Sequence, residues 1–258
     1  MPFRISKNIL ILGAILLCLF LGLFIALSSH GPLYSSVTSF DYSVDNAVAP
    51  LRHHQDLAQF MLSMTYLGNP EIIIVFEICL LAIIIIVHRK RIAALFLGGI
   101  VLGEVISLFF KNILARARPI ETLFHVSRVG YSFPSGHALL SMIFYGCLGF
   151  FAAHVARKTW QKKLIGIVVG CIIFLIGFSR VFLGVHWFSD VIAGWSLGGV
   201  CLVAIIAVFQ AIHHHLKNEN RKLISAREKI WIIIIALMLG FFITFFFVTH
   251  LSELRSIV

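Results

Sequence analysis

The segment YSFPSGHALLS, residues 131–141, lies between two long apolar runs and opens the second of them. Pro134 and Gly136 mark a break in the chain, and an apolar helix is predicted to begin there. The start of a helix exposes amide N–H groups without intrahelical acceptors and the positive end of the helix dipole, a combination that attracts anions. His137 stands at that point. The tetrapeptide Pro-Ser-Gly-His alone is equally a simple helix start, so its meaning depends on what the rest of the chain brings beside it.

The chain around it is very apolar. Of its 258 residues 60% are hydrophobic and 12% charged, against about 45–50% and roughly 25% in a soluble domain. A membrane-spanning helix takes about 20 mostly apolar residues. The runs predict seven spans, near 9–27, 71–87, 92–112, 136–154, 164–183, 188–212 and 230–249. The fold class is therefore an all-α polytopic membrane protein, read as one membrane domain over 1–258 with no long polar linker or internal repeat. Arg4 and Lys7 before the first run suggest either a cleaved signal peptide or a first span. The run is longer than a usual signal h-region, and an uncleaved helix is expected. The segment 28–69 is more polar. Within it, 51–67 mixes apolar and polar residues as an interfacial helix does, and Gly68-Asn69-Pro70 breaks it off.

The formal net charge is +10. Basic residues flanking membrane helices account for this balance, and no nucleic-acid partner is expected. Five cysteines, Cys18, Cys79, Cys147, Cys171 and Cys201, all fall in apolar runs without a CxxC spacing. They read as packing residues. With the N-terminus placed in the cytoplasm, most of the 21 Lys and Arg residues fall on the cytoplasmic side, as the positive-inside rule requires. The exceptions are Arg52, Lys111, Arg116, Arg118, Arg128, Arg180 and Arg255. Five of them cluster in 111–128 and at 180, where an anionic ligand would explain them.

Three segments thus reach one membrane surface. KNILARARP (111–119) carries Lys111 and Arg118 seven residues apart, which a continuing helix would align on one face until Pro119 stops it. PSGH (134–137) opens the fourth span. SRVFLGVHWFSD (179–190) carries Arg180, His186 and Asp190, the last two spaced to meet on one helix face. Gly184 lets the chain turn between them. Three fixed cations, two histidines and one carboxylate make a set suited to phosphate. Arg and Lys donate to phosphate oxygens, Arg in a bidentate fork.

The sequence Lys-x6-Arg-Pro, then Pro-Ser-Gly-His, then Ser-Arg-x5-His-x3-Asp resembles the motifs of the type 2 phosphatidic acid phosphatase family, which vanadium haloperoxidases and glucose-6-phosphatases share. The resemblance covers about 70–212. It implies a six-helix core, to which the first span and the interfacial segment in 28–69 are typical additions, and a seventh span at 230–249 exceeds that core. It also implies a metal-independent, cofactor-free lipid phosphatase working through phosphohistidine. In that reading His186 attacks phosphorus, Asp190 orients it, and His137 protonates the leaving group and then activates water. Lys111, Arg118, Arg180, Ser135 and Gly136 hold the phosphoryl oxygens. The implied substrate is an amphiphile at the outer or periplasmic face: undecaprenyl diphosphate, phosphatidylglycerol phosphate, phosphatidic acid or a lipid A phosphate. No protein partner is evident from the sequence. The apolar spans exclude a soluble haloperoxidase. A lipid phosphotransferase with the same site, and a transporter using the cations as a static phosphate site, are the competing readings.

Other polar residues are read more plainly. Arg116, His125 and Arg128 are candidate substrate contacts. Glu104 and Glu77 are read first as polar anchors within the bundle. His213, His214 and His215 read as a solvated helix end, and Gly194 and Gly198 as a close-packing pair.

Overall fold

The computed structural model describes residues 7–29, 31–86, 90–119 and 130–216. Among them the chain is helical, with no strand. The elements are α1 (Lys7–Ser28), α2 (Pro32–Val48), a short 3-10 turn (Ala49–His53), α3 (Gln55–Leu67), α4 (Pro70–Ile86), α5 (Lys90–Leu114), α6 (Gly136–Val155), α7 (Thr159–Phe182) and α8 (Phe188–Leu216). Five of these are long and apolar enough to cross a membrane, and α3 with α4 makes a sixth candidate bent by 46°. The six expected spans up to residue 212 each coincide with a helix. The expected span at 230–249 lies outside the described residues.

The bend follows from sequence. Gly68 ends α3 with its amide on the Thr65 and Tyr66 carbonyls, and Pro70 occupies the first position of α4, where a missing N–H costs nothing. The helix expected within 51–67 is present as α3, and one face of it packs on the protein. Helix α3 buries Thr65, and its Ala58, Met61 and Leu62 form a cluster with Phe182, Leu183 and Val185 at the end of α7. The polar residues of the region pair inside the protein, which periodicity alone does not reveal. Arg52 bonds Asp45 and donates to the Phe182 carbonyl at 2.7 Å. Asp41 is 1% exposed.

Helices α6 and α8 form the centre. In lipid, helices associate through close packing and small residues at the contact, and α8 follows this rule. A Cβ on Gly194 would lie 2.5 Å from the Ser135 carbonyl oxygen, and one on Gly198 2.7 Å from that of Leu139. The pair is a packing device between helices of one chain, as expected. Helix α1 lies outside this centre and pins the turn before α6, with Phe20 stacked on Phe133 at 5.9 Å. The C-terminal ends of α5 and α7 therefore meet the N-terminal ends of α6 and α8, and the three polar segments arrive together.

Candidate functional site

The turn into α6 is fixed from two sides. The Ser132 amide donates to the Arg116 carbonyl at 2.9 Å, and the Ser135 amide to the Asp190 carbonyl at 3.0 Å. The Phe133–Pro134 peptide is cis. Gly136 begins α6, and its first-turn amides have no intrahelical acceptor. Gly136 also admits a cation: a Cβ there would touch the Lys111 Nζ at 3.5 Å. The Ser135 Oγ is fully buried and has no hydrogen-bond partner among the described residues. His137 packs beside Gly68 and lies within electrostatic range of Arg180, His186, Lys111 and Arg118.

Lys111 is in the last turn of α5. Arg118 is not on that helix, which corrects the expected two-turn alignment. Helix α5 ends at Leu114, and Ala115 turns the chain with φ +46°. Arg118 returns through the following extended segment. It donates to the carbonyls of Val185 at 2.8 Å, Gly130 at 3.0 Å and Tyr131 at 3.3 Å. Its Nη1 is also 3.2 Å from His186 Nε2. Arg180, in the last turn of α7, is 5% exposed. Its Nη1 donates to Thr65 Oγ1 of α3 at 2.6 Å, while its buried Nε has no partner among the described residues. Buried polar atoms are normally bonded.

His186 precedes α8 and does not share a helix face with Asp190, a second correction. The chain leaves α7, turns at Gly184 with φ +67°, and presents His186 from a loop before Phe188 starts α8. Asp190, in the first turn of α8, still faces it, with Oδ2 3.6 Å from His186 Nδ1. That separation is a charge-pair distance, longer than a hydrogen bond. A guanidinium has only donors, so the Arg118 contact makes Nε2 an acceptor and leaves the proton on Nδ1, toward Asp190. Burial first, and then Arg118, Arg180 and Lys111, hold the His186 imidazole well below its ordinary pKa. Burial likewise lowers Arg118, although Asp190 opposes it.

Arg116 departs from the expected role of substrate contact. Its Nη1 donates to Asp190 Oδ1 at 2.6 Å and its Nη2 to Asp41 Oδ2 at 2.6 Å. Burial alone would lower this guanidinium, but Asp190 and Asp41 raise it above its ordinary pKa. His125 and Arg128 lie outside the described residues. Lys111, Arg118, Ser135, Gly136, His137, Arg180, His186 and Asp190 are brought to one place. Asp41, Thr65 and Ser189 join them without having been anticipated. Each is a small polar residue in an ordinary helical stretch, and no spacing rule marks it. Among the described residues no group of three or more His, Cys, Asp or Glu is placed to hold a metal.

The family model of the PAP2 superfamily matches residues 92–214. Phosphatidylglycerophosphatase B of Bacillus subtilis (strain 168) is 30% identical over 166 residues, which are 64% of this chain and 80% of that protein. An undecaprenyl-diphosphatase of Sulfolobus acidocaldarius is 37% identical over 108 residues, 40% of this chain and 46% of the relative. The crystal structure of a transmembrane PAP2 type phosphatidylglycerolphosphate phosphatase from Bacillus subtilis superposes with a TM-score of 0.66 at 26% identity. That match covers 80% of this chain and 98% of the other.

Proposed function

This integral membrane chain belongs to the PAP2 superfamily of type 2 phosphatidic acid phosphatases, and we propose from that premise that it is a lipid phosphatase working through a phosphohistidine on His186. The observation that carries the reading is the meeting of Lys111, Arg118 and Arg180 around an imidazole whose Nε2 lone pair faces the same pocket. A phosphoryl group takes the place of the Arg118 contact on Nε2. The Nε2 lone pair forms the N–P bond as the bond from phosphorus to the leaving oxygen breaks. His137 gives that oxygen a proton. Asp190 supports the positive charge on the ring through the Nδ1 side. Water then attacks phosphorus, its proton passes to His137, and the N–P electrons return to Nε2 with release of inorganic phosphate. The three cations, Ser135 Oγ and the Gly136 amide hold the oxygens on which charge spreads in both transition states. Each such donor contributes about 3 kcal/mol to lowering the barrier.

The substrate class follows from the surroundings. A largely apolar groove of about 360 Å³ runs between α4 and α5, lined by Leu97, Val101 and Leu108 and also by Glu77 and Glu104. It suits the hydrocarbon of an amphiphile whose phosphate lies in the pocket. Phosphatidylglycerol phosphate is the first substrate to test, on a relative matched over 80% of its length, and undecaprenyl diphosphate the second. The asymmetry of Lys and Arg supports an N-terminus in the cytoplasm and a site on the outer face.

The test is phosphate release by the purified protein in detergent with EDTA present, from phosphatidylglycerol phosphate, undecaprenyl diphosphate and phosphatidic acid, beside His186→Ala. Release that survives EDTA and vanishes in the variant supports the reading. Release that requires a divalent metal, or that persists in His186→Ala, overturns it.

A further inference from the structure

Behind His186 and Asp190 lies a second layer of charge that the chemistry above does not use. Asp41 belongs to α2, outside residues 92–214 matched by the family model. It is 1% exposed, and both its oxygens are engaged. Oδ2 accepts from Arg116 Nη2 and from Ser189 Oγ, each at 2.6 Å. Oδ1 accepts the Ser189 amide at 2.8 Å. Arg116 bridges forward from there, its Nη1 donating to Ser189 Oγ at 2.8 Å and to Asp190 Oδ1 at 2.6 Å. Its guanidinium lies over the Trp187 ring, 5.7 Å from the centroid, and the Trp187 indole N–H is itself held by the Ala117 carbonyl at 2.9 Å. With Oδ1 of Asp190 anchored, Oδ2 is left to accept the Trp187 amide at 2.9 Å and to face His186 Nδ1.

A carboxylate that orients an imidazole must itself be oriented, and one free to rotate would offer the ring either oxygen. The charge sequence also matters. Two carboxylates share one guanidinium, so Arg116 offsets part of the negative charge that Asp190 presents to His186, and Asp41 in turn offsets Arg116.

We propose that Asp41 and Arg116 are positioning residues for the nucleophile: Asp41 locks Arg116, and Arg116 fixes one oxygen of Asp190 so that the other faces His186. The inference rests on the reading of His186 as the attacking group. A buried ion network that only fastens α2 to the bundle would have the same bonds, and the experiment separates the two.

Phosphate release is measured across the acid pH range for the full chain in detergent, with Arg116→Gln, Arg116→Lys and Asp41→Asn beside the unmodified protein and His186→Ala. Thermal unfolding is recorded for each. Arg116→Gln lowers kcat about 10- to 100-fold, as outer partners of an oriented imidazole do, with little change in KM. Its acid limb in kcat/KM moves to higher pH, because the charge of Asp190 is no longer offset beside His186. Asp41→Asn moves that limb the opposite way, because Arg116 then faces the pair without its counterion. Arg116→Lys restores the limb by restoring the charge. Lys111, Arg118, Arg180 and His137 also face His186 and are retained throughout. Limbs that stay in place while kcat falls only in step with unfolding temperature make the network a structural tie and overturn the inference alone. Activity that survives in His186→Ala overturns the reading of the nucleophile, and this inference with it. If Arg116→Gln does not fold, a limb shifted to lower pH in Asp41→Asn and left in place in Arg116→Lys supports the inference, and a limb unmoved in Asp41→Asn overturns it.

Discussion

A single added methyl at Gly194 is predicted to disable the site without changing a polar side chain. Gly194 lies one helical turn after Asp190, on the face of α8 that crosses the start of α6. A Cβ there would stand 2.5 Å from the Ser135 carbonyl oxygen and 2.9 Å from the Ala138 Cβ, where ordinary contact begins near 3.4 Å. The shortfall to Ser135 is roughly 1 Å. The opposing atom is backbone, so no side-chain rotation relieves the clash, and the turn carrying Ser135, Gly136 and His137 must retreat from α8. That retreat stretches the Ser135 amide bond to the Asp190 carbonyl, now 3.0 Å, which joins two of the three polar segments. Overpacking of this kind costs about 1–3 kcal/mol of stability. A 1 Å displacement of reacting groups costs about 10²-fold in rate. Gly194→Ala is therefore expected to lower kcat for phosphatidylglycerol phosphate about 100-fold and to lower the unfolding temperature read by tryptophan fluorescence. Gly22→Ala, where nothing lies within 4 Å of the new Cβ, is the control and should change neither. A Gly194→Ala protein with undiminished kcat would refute the claim that close contact of α6 and α8 sets the geometry of the site.

Three further outcomes follow from the same structure. Because His186 is held well below its ordinary pKa by burial and three cations, its lone pair stays available as pH falls through about 6.5. The acid limb of kcat/KM, which reports the free protein, is expected below that value. An acid limb above about 6.5 would contradict the neutral imidazole. The linked stability has the same sign: the unfolded chain takes up the proton near pH 6.5 and the folded one does not. The contribution is therefore full above that pH and lost as pH falls toward the folded value, which acid unfolding in detergent can follow. Thr65→Val preserves shape but removes the 2.6 Å bond to Arg180. A hydrogen bond to a buried charge contributes about 1.5 kcal/mol, so roughly a 10-fold loss in kcat/KM is expected. Unchanged kinetics would show that Arg180 holds its place without α3.

The amino-acid sequence by itself determined the class of molecule and the chemical content of the site. A run of some 20 apolar residues has no stable place in water, so the spans from α1 to α8 could be read directly from hydropathy. Lys111, Arg118, His137, Arg180, His186 and Asp190 could be grouped from sequence because their three segments fall at span ends on one expected side, and the structure brings them together. What only the tertiary structure decided was how these residues meet. Arg118 reaches the pocket after the chain leaves α5 at Ala115, and His186 meets Asp190 from a loop, whereas helical spacing had suggested a shared face in both cases. Asp41 and Thr65 carry no local pattern at all, and Ser189 lies inside the segment 179–190 at a position no spacing singles out. Their roles arise from contacts across 115 to 148 residues of chain, and pairings at that separation are set by how the helices pack, which the periodicity of any one segment does not encode.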